Sequence, residues 1–508
     1  MNTFMNGLIN ETNYKRTENG ALAHKSTRSK VYDMFAFGGA YRQRSDEDCI
    51  LLFKHAYDEN PTLAVKCLFY LRDVRGGQGE RRFFRVCFNW LCRAHSEHAR
   101  ALVTYCSEYG RWDDMIYSTI DTPVWNDAIR IIKEQLKLDI RSNTPSLLAK
   151  WLPSENASSY KTQKIAKEVR KALGATPKQY RAVLSVLRRR INIVERLMSE
   201  NRWDEIEFDK IPSKAGLVYK NAFARKDIIA QKYKAFVKSD KTTVNASALY
   251  PYEIVRKVTS HMNYYGGLQI DETDRAVINK YWANQKDYFN GTPASLMCVI
   301  DTSGSMTWGS GNNKIMPIDV AISLGLYTAE RIGGPFKNHY ISFASRPQLI
   351  ETEGIDFCDK VERIYETNLC DSTNLEAVFR LLLNTIKFND VAPEDVPKTI
   401  VIISDMEINQ GINLGRRYWS YSREDDQRRL VTEMELIRAR WQKETFCPFP
   451  NLVYWNVNAR NDTILDLGPG VSYVSGCSPT IFQQVLTGKT GYDLMLEVLT
   501  SPRYTLIK

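Results

Sequence analysis

The spacing of apolar residues changes near residue 290, and this change separates two kinds of fold. From about residue 45 to residue 290, apolar residues recur at three- and four-residue steps, as they do in amphipathic helices. Beyond residue 290, short apolar runs, often β-branched, alternate with helical stretches. At 508 residues the chain is too long for one core. We therefore expect a multidomain protein, all-α at first and α/β afterwards.

Five apolar runs in the second part have the character of buried parallel strands. They are SLMCVI (295–300), HYISFA (339–344), TIVIIS (399–404), LVYWNV (452–457) and VSYVS (471–475). Helical stretches lie between them at 316–332, 372–388 and 424–444. This alternation predicts an open, doubly wound sheet of the Rossmann-like type, which binds ligands beyond the carboxyl ends of its strands.

Acidic and hydroxyl side chains cluster at these strand ends. The candidate metal ligands are Asp301, Ser303 and Ser305 after the first strand, Thr373 before a helix, and Asp405 after TIVIIS. Asp371 precedes Thr373, and Glu407 follows as a loop residue near the site. Oxygen ligands of limited negative charge suit Mg²⁺ or another hard divalent cation. The alternative is that these side chains only cap loops and helix N-termini.

The same cluster is a weaker candidate for catalysis. No histidine or lysine accompanies VIDTSGSM to make a serine nucleophilic or to act as a base. A metal-dependent nuclease that uses Asp301 and Asp405 remains a minor alternative, because nuclease sites usually bring more acids or a base. We expect a binding site and no enzymatic activity.

The charge is distributed unevenly along the chain. Residues 1–290 contain 48 lysines and arginines against 33 aspartates and glutamates, whereas residues 291–508 contain 21 against 26. The basic excess therefore belongs to the N-terminal part, which becomes the candidate for a polyanionic partner.

Two segments of the N-terminal part are rich in candidate phosphate-binding residues. In YLRDVRGGQGERRFFR they are Arg72, Arg75, Arg81, Arg82 and Arg85 around a glycine-rich turn. In residues 161–200 they are Lys161, Lys164, Lys167 and Lys171 along one helix, with Arg181, Arg188, Arg189 and Arg190 on the next. The nearby aromatics Tyr160, Tyr180, Trp203 and Tyr219 are candidates for stacking on unpaired bases. The alternative is solvated helix faces with core aromatics.

Other features narrow the class of protein. No apolar run approaches the roughly 20 residues that cross a bilayer, and the first residues do not resemble a signal peptide. We expect a cytoplasmic protein with no membrane partner, its ten cysteines reduced. Cys87, Cys92, His95 and His98 do not share one helix face, so a zinc site there is a remote alternative.

The strand-end residues carry a resemblance to a known family. Asp301-x-Ser303-x-Ser305, then Thr373, then Asp405 resemble the metal-ion-dependent adhesion site (MIDAS) of von Willebrand factor A domains, which have the same doubly wound sheet. This resemblance implies a Mg²⁺ that holds an acidic group of a protein partner. The polar segment 409–429 follows, with Arg416, Arg417, Tyr418, Trp419 and Tyr421, and is expected to overhang the site or to pack on the adjoining domain.

The whole chain resembles a second family. A helical region with GRWDDM (110–115) before an A domain is similar to the TROVE module architecture of the Ro ribonucleoprotein autoantigen. TRSKVYDMFAFGGAYR (27–42), LRDVRGGQGERRFFR, EYGRWDDM and SDMEIN resemble more closely an uncharacterised relative, the domain-of-unknown-function 2828 family. The resemblance implies HEAT-like helical repeats, which form a ring in Ro proteins, and binding of small structured RNA or of single-stranded RNA ends.

These observations lead to one main expectation and one rival. We expect an N-terminal tail (1–26), a basic α-helical TROVE-like domain (27–290) and a von Willebrand factor A-like domain (291–508) in an RNA-binding ribonucleoprotein component. The rival is a metal-dependent protein-interaction scaffold whose basic stripe meets an acidic protein.

Overall fold

The structure is a computed structural model that describes residues 5, 12–191, 194–246, 249–263, 267–307, 315–352, 356–368, 373–409 and 432–508. The chain forms two compact units. We call Met1–Cys67 with Leu249–Arg503 the sheet unit, and Leu68–Ala248 with Tyr504–Lys508 the helical unit.

The secondary structure is numbered in chain order. The strands are β1 (Tyr14–Arg16), β2 (Leu22–His24), β3 (Leu296–Asp301), β4 (His339–Phe343), β5 (Leu349–Glu351), β6 (Thr399–Ser404), β7 (Asn451–Asn456) and β8 (Val471–Ser475). The helices are α1 (Lys30–Phe37), α2 (Asp46–Glu59), α3 (Pro61–Arg72), α4 (Arg81–Ala94), α5 (Ser96–Leu102), α6 (Cys106–Tyr109), α7 (Trp112–Thr119), α8 (Trp125–Arg141), α9 (Leu148–Trp151), α10 (Tyr160–Ala172), α11 (Pro177–Ile191), α12 (Val194–Ser199), α13 (Ser213–Arg225), α14 (Asp227–Lys238), α15 (Pro251–Thr259), α16 (Glu272–Ala283), α17 (Pro317–Arg331), α18 (Phe357–Asn368), α19 (Leu375–Phe388), α20 (Glu433–Glu444), α21 (Phe482–Val485) and α22 (Gly491–Leu499).

The sheet unit is built on a mixed six-stranded sheet in the order β5-β4-β3-β6-β7-β8. All neighbouring strands are parallel except β5, which runs antiparallel to β4 at one edge. The central strand β3 is buried along its whole length, as its apolar sequence predicts. Helix α17 packs closely on β3 because Gly325 has no Cβ, which would otherwise lie 2.1 Å from Ile300 Cδ1.

The N-terminal segment belongs to the sheet unit. Helix α1 lies against the edge strand β8, where Tyr473 N donates a hydrogen bond to Tyr32 Oη at 2.8 Å and Ser475 Oγ donates to the Phe35 carbonyl at 3.2 Å. An exposed edge strand invites pairing with other chains, and α1 covers this one. The unit boundaries consequently differ from the expected divisions at residues 26 and 290, because the segment 12–67 and the segment 249–290 both pack with the sheet.

The helical unit has an aromatic core. Phe69 makes edge-on contacts with Phe84, Phe88 and Tyr109, and Tyr109 stacks on Tyr504 with ring centroids 5.7 Å apart. Such pairs add about 0.5–1.5 kcal/mol each beyond the area that they bury. The residues Tyr504–Lys508 are thereby tied to the start of this unit.

The expected order of a helical region followed by a sheet is confirmed, and the five expected strands are present to within one or two residues. Strands β1, β2 and β5 were not expected, since each has only three residues and no apolar run. Among the described residues, none of the helices has both the length and the apolar character needed to cross a bilayer.

Candidate functional site

The candidate metal centre lies where β3 and β6 end. These strands are parallel neighbours, so Asp301 at the end of β3 and Asp405 just after β6 reach the same edge of the sheet. Both carboxylates are fully buried. Asp301 Oδ1 accepts a hydrogen bond from Ser303 N at 2.9 Å, and its Oδ2 accepts one from Ser404 Oγ at 2.6 Å. The strand register therefore brings together two acids that are distant in the sequence.

The hydroxyls come from the loops around these acids. Ser303 Oγ and Ser305 Oγ are 3.1 Å apart at the 3₁₀ turn Gly304–Thr307, and the Ser305 hydroxyl bonds to Asp405. Thr373 Oγ1 donates to the Glu407 carbonyl at 3.4 Å and accepts from Asn409 N at 3.3 Å. The structure thus brings the five predicted ligands to three adjacent loops. Asp371 and residues 410–429, including the arginines and aromatics expected to overhang the site, lie outside the described residues.

The electrostatics of the two carboxylates favour a bound cation. Burial and the neighbouring charge of Asp301 raise the pKa of Asp405, and Arg460 opposes that shift. Burial also raises the pKa of Asp301, against hydrogen bonds from Ser404 and Ser303. Two buried acids with adjacent hydroxyls are a donor set that fits a hard divalent cation, which would remove the repulsion between them. Among the described residues no three His, Cys, Asp or Glu side chains gather as metal ligands, so a cation here would rely on hydroxyls and water as well.

Three residues at this site were missed or undervalued in the sequence. Arg460 Nη2 lies 3.2 Å from Asp405 Oδ2 and 3.1 Å from Glu18 Oε2. Glu407, given only a minor role from sequence, is 1% exposed, and its Oε2 accepts a hydrogen bond from Glu18 N at 2.7 Å. Arg460 follows β7, so inspecting the residues after every strand would have found it. Nothing in the sequence signals Glu18, which lies in the segment expected to be a tail.

The backbone after Asp405 is strained. Met406 has a φ of 66°, in the left-handed region that side chains other than glycine rarely adopt. Such strain persists where the surroundings fix the conformation, and it is common at functional sites. Met406 is 1% exposed, and its N donates to Ser404 Oγ at 3.0 Å, so burial and a hydrogen bond hold this turn.

The remote zinc alternative has no support in the structure. Cys87 and Cys92 are buried in α4, and burial raises the pKa of Cys92 to about 12, so its thiol stays protonated. His98 Nε2 is 2.8 Å from the Lys508 carbonyl. Among the described residues, no three His, Cys, Asp or Glu side chains come together as metal ligands, and this includes the cysteines and histidines of this segment.

The basic residues of the helical unit fall into two groups. The first group faces solvent and comprises Lys161, Lys164, Lys167, Lys171, Arg75, Arg81, Arg82, Arg181, Arg189 and Arg190. Several members of this group also contact the protein: Arg75 reaches Glu108 at 3.3 Å, Lys171 Nζ donates to Glu168 Oε1 at 3.0 Å, and Arg190 Nη1 donates to the Ile140 carbonyl at 2.7 Å. The lysines of α10 form an exposed stripe, as their spacing predicts.

The second group is internal and corrects part of the sequence interpretation. Arg72 is 2% exposed and donates to Asp114 Oδ2 from both Nε and Nη2, and Arg85 pairs with Asp113 and Asp114. Arg188 donates to the carbonyls of Ala149 and Leu152 and to Ser154 Oγ, each at 2.8 Å. These guanidinium groups hold helices together, so they bond mainly within the protein and are weaker candidates for binding a phosphate. The hydrogen-bond partners of these arginines determine whether they are internal, and the spacing of residues along a helix does not reveal those partners.

The glycine-rich motif is also structural. A Cβ on Gly77 would lie 1.9 Å from the Tyr70 carbonyl oxygen, and one on Gly110 would lie 2.5 Å from Asp114 Oδ2. Glycine at these positions lets the turn fold back on α3, and it leaves room for the buried pair of Arg72 and Asp114. The motifs LRDVRGGQGE and GRWDD are therefore parts of one packed centre.

The aromatic residues expected to stack on bases differ in exposure. Tyr160 is 79% exposed beside the lysine stripe. Tyr180 is buried, and its hydroxyl donates to the Pro153 carbonyl at 2.8 Å. Trp203 lies under Lys226, and the Tyr219 hydroxyl reaches Glu195 at 3.5 Å. Tyr180 is thus a core residue, and Tyr160 keeps an open face.

A cleft of about 490 Å³ opens beside α11. Arg181, Ser185 and Arg189 line it at four-residue steps, and Ser154 and Asn156 lie among the other lining residues. Glu155, also in the lining, is paired with Arg170 at 2.7 Å. Glu195 and Glu200 line the cleft too, and Glu200 pairs with Arg196 at 2.9 Å. Arg181 and Arg189 are therefore cationic groups in a lining of mixed charge.

Two family models match the chain. One described as "Domain of unknown function (DUF2828)" matches residues 17–108 and 124–288, and one described as "Domain of unknown function (DUF7788)" matches residues 295–498. An uncharacterized protein of Acanthamoeba polyphaga mimivirus is 28% identical over 533 residues, which cover 96% of this chain and 87% of that protein. The crystal structure of the Deinococcus radiodurans Ro (RSR) protein is similar with a TM-score of 0.41 and 13% identity, over 93% of this chain and 99% of that chain.

Proposed function

Because the chain belongs to the family described as domain of unknown function (DUF2828), whose description names no activity, we propose a function from charge and site geometry: a non-enzymatic, RNA-binding protein with a divalent-cation site. The charge distribution carries this proposal. The helical unit has 35 lysines and arginines against 20 aspartates and glutamates, whereas the sheet unit has 34 against 39. The basic excess of the chain thus lies in the helical unit, where a polyanion would gain most from counterion release.

The exposed cations give this polyanion a surface to bind. The lysine stripe of α10 faces solvent, and Tyr160 at its start offers an open ring to an unpaired base. Arg181 and Arg189 are eight residues apart on α11, which is about 12 Å along a helix, so they would contact separate phosphates. The hydroxyl of Ser185, which lies between them in the cleft, would hydrogen-bond to a ribose 2′-hydroxyl, which DNA lacks.

The motifs support a finer architecture. GRWDDM and LRDVRGGQGERRFFR in the helical unit, followed by a sheet with Asp301, Ser303, Ser305, Thr373 and Asp405, resemble a TROVE module joined to a von Willebrand factor A domain. In this proposal the helices are degenerate HEAT-like repeats, and the protein acts in the cytoplasm as a ribonucleoprotein component. Mg²⁺ at the adhesion-type site would bind an acidic group of a partner protein.

Direct binding measurements test the RNA proposal. We would compare single-stranded RNA, a hairpin with a single-stranded tail and duplex DNA at two salt concentrations, with and without EDTA. Reversing the charge of Lys161, Lys164, Lys167 and Lys171 is expected to weaken RNA binding and to lower the salt slope by about one for each lost phosphate contact. Unchanged affinity at both salt concentrations would rule out the stripe.

A second candidate is a protein-interaction scaffold without a nucleic-acid role. The buried acids at the ends of β3 and β6 favour it, because a cation there would offer an open coordination position to an acidic protein. The two functions are separable by EDTA: RNA binding by the helical unit should be unaffected, whereas capture of an acidic partner should be lost. Failure of all three nucleic acids to bind would favour the scaffold.

A further inference from the structure

Arg460 is shared between the candidate metal site and the N-terminal segment. The same nitrogen, Nη2, lies 3.2 Å from Asp405 Oδ2 and 3.1 Å from Glu18 Oε2. The side chain is 27% exposed, whereas Glu18 is 46% exposed and Asp405 is fully buried. Arg460 Nε is buried and has no hydrogen-bond partner among the described residues. The guanidinium is therefore shared by two acids through one nitrogen, and one of these acids is exposed to solvent.

The N-terminal segment fixes the loop that carries Arg460. Arg44 Nη1 donates to the Arg460 carbonyl at 2.5 Å, and Lys15 Nζ donates to the Asp462 carbonyl at 2.9 Å. The Tyr41 hydroxyl donates to Asp462 Oδ1 at 2.5 Å. Glu18 itself is held in place, because Asn461 Nδ2 donates to its Oε1 at 2.8 Å. The position of Arg460 therefore depends on residues 15–44 as well as on its own strand.

We propose that Arg460 is an internal cation that competes with a divalent cation for Asp405, and that Glu18 weakens this competition by offering Arg460 a second acceptor. The inference rests on the divalent-cation site of the proposed function. A guanidinium in contact with Asp405 repels a divalent cation bound to the same carboxylate, in proportion to the product of their charges. When Arg460 swings toward Glu18, the positive charge leaves Asp405 and is neutralised by another acid.

Titration of Mg²⁺ and of Mn²⁺ into the full-length protein, followed by calorimetry, tests this competition. Arg460→Met removes the charge and keeps an unbranched, flexible side chain, although a shorter one, and we expect it to tighten cation binding by about tenfold. Glu18→Gln leaves Arg460 with Asp405 alone and should weaken binding by about threefold. If Glu18 acts through Arg460, Glu18→Gln in the Arg460→Met background should change affinity by less than about twofold.

Three variants serve as controls. Arg460→Lys keeps the charge, so its cation affinity should lie closer to that of the wild type than to that of Arg460→Met. Arg438→Met breaks another arginine–aspartate pair of the sheet unit, Arg438 Nη2 to Asp466 Oδ2 at 2.8 Å, without contacting Asp405, and should leave affinity unchanged. Asp301→Ala should abolish binding at this site.

A second measurement, the melting temperature, can be made both with and without the cation. In EDTA, Arg460→Met should lower the melting temperature, because Asp405 and Asp301 lose their compensating charge, and Mg²⁺ should raise it by more than in the wild type.

The outcomes separate the inference from the site on which it rests. If the wild type binds the cation, Asp301→Ala does not, and Arg460→Met binds with wild-type affinity, then the role of Arg460 is overturned and the metal site stands. Binding by Arg460→Met alone would support the inference strongly. No binding by the wild type and by Arg460→Met would overturn the metal site, and the inference with it.

Discussion

Asp319 is a buried acid in the first turn of α17, where it is 1% exposed. The Tyr365 hydroxyl donates to its Oδ1 at 2.9 Å and Thr259 Oγ1 does so at 3.3 Å, whereas Oδ2 has no hydrogen-bond partner among the described residues. Burial raises the pKa of Asp319 to about 6, against these two hydroxyls and Arg256. Ionising Asp319 therefore costs more free energy in the folded protein than in the unfolded chain.

Asp319→Asn is expected to stabilise the protein at pH 8 by about 2–3 kcal/mol and to have little effect near pH 4. The pKa of Asp319 is higher in the folded than in the unfolded state, so the free energy of unfolding of the wild type falls as the pH rises from about 4 to about 6. Asparagine does not ionise, so the variant does not lose this stability. Urea unfolding at three pH values measures the difference. A gain that is equal at all pH values would contradict the prediction.

Asp356→Asn is the matched control of opposite sign. Burial raises the pKa of Asp356, but hydrogen bonds from Arg275, Asp359 N and Asn279 outweigh it, and the net shift is downward. The charged form is favoured in the folded protein, so this substitution should destabilise at pH 8 and lose its effect at low pH.

Gly77→Ala should destabilise the helical unit by more than about 3 kcal/mol, because the new Cβ would meet the Tyr70 carbonyl oxygen and the backbone must move. Gly174→Ala is the comparison, since Gly174 has a φ of 71° and open space around its Cβ position. That change should cost about 1 kcal/mol from backbone strain alone. Thermal unfolding of both variants measures the difference, and equal losses would refute the steric argument.

At the scale of elements, helices α10 and α11 show which features of a helix its sequence predicts and which it does not. The spacing of Lys161, Lys164 and Lys167 predicted one exposed stripe, and the structure has it. The same reasoning grouped Arg188 with its neighbours, although its three hydrogen bonds go to the segment 149–154. Periodicity gives the face of a helix on which a residue lies, but the partner across that face comes from a segment about forty residues away.

Arg188→Ala should therefore lower the free energy of unfolding by about 2–4 kcal/mol, because it leaves two carbonyl oxygens without a donor. Arg181→Ala should leave stability within about 0.5 kcal/mol and weaken RNA binding. The measurements are chemical unfolding and RNA binding at low salt for both variants. Equal stability of the two variants would contradict the division into internal and solvent-facing arginines.

At the scale of the whole molecule, the sequence predicted which residues lie together at the carboxyl edge of the sheet, whereas the unit boundaries differ from the expected ones. Asp301 and Asp405 lie at this edge because parallel neighbouring strands end there, whereas their role as metal ligands stays a prediction. The sheet unit also includes residues 12–67, which were expected to be a tail and part of the helical domain. No local pattern shows that α1 covers β8, because this contact joins residues more than 400 positions apart.

A fragment of residues 249–503 is therefore expected to unfold without a sharp transition, because β8 is uncovered and the loop of Arg460 lacks its supports. The same fragment joined to residues 12–67 through a glycine-serine linker should recover a cooperative transition. Near-ultraviolet circular dichroism during heating measures both. Equal cooperativity of the two fragments would show that the N-terminal segment is dispensable.

The two stretches of chain that form the sheet unit are synthesised at different times. Residues 12–67 leave the ribosome first, but β8 is made roughly 400 residues later, which is about 20–80 s at ordinary translation rates. During this interval the apolar face of α1, with Val31, Met34 and Phe35, has no sheet to cover, and we expect it to be exposed to chaperones and to other unfolded chains. The aromatic core of the helical unit is also completed late, because the Tyr504 ring can stack on Tyr109 only after residue 504 has been synthesised.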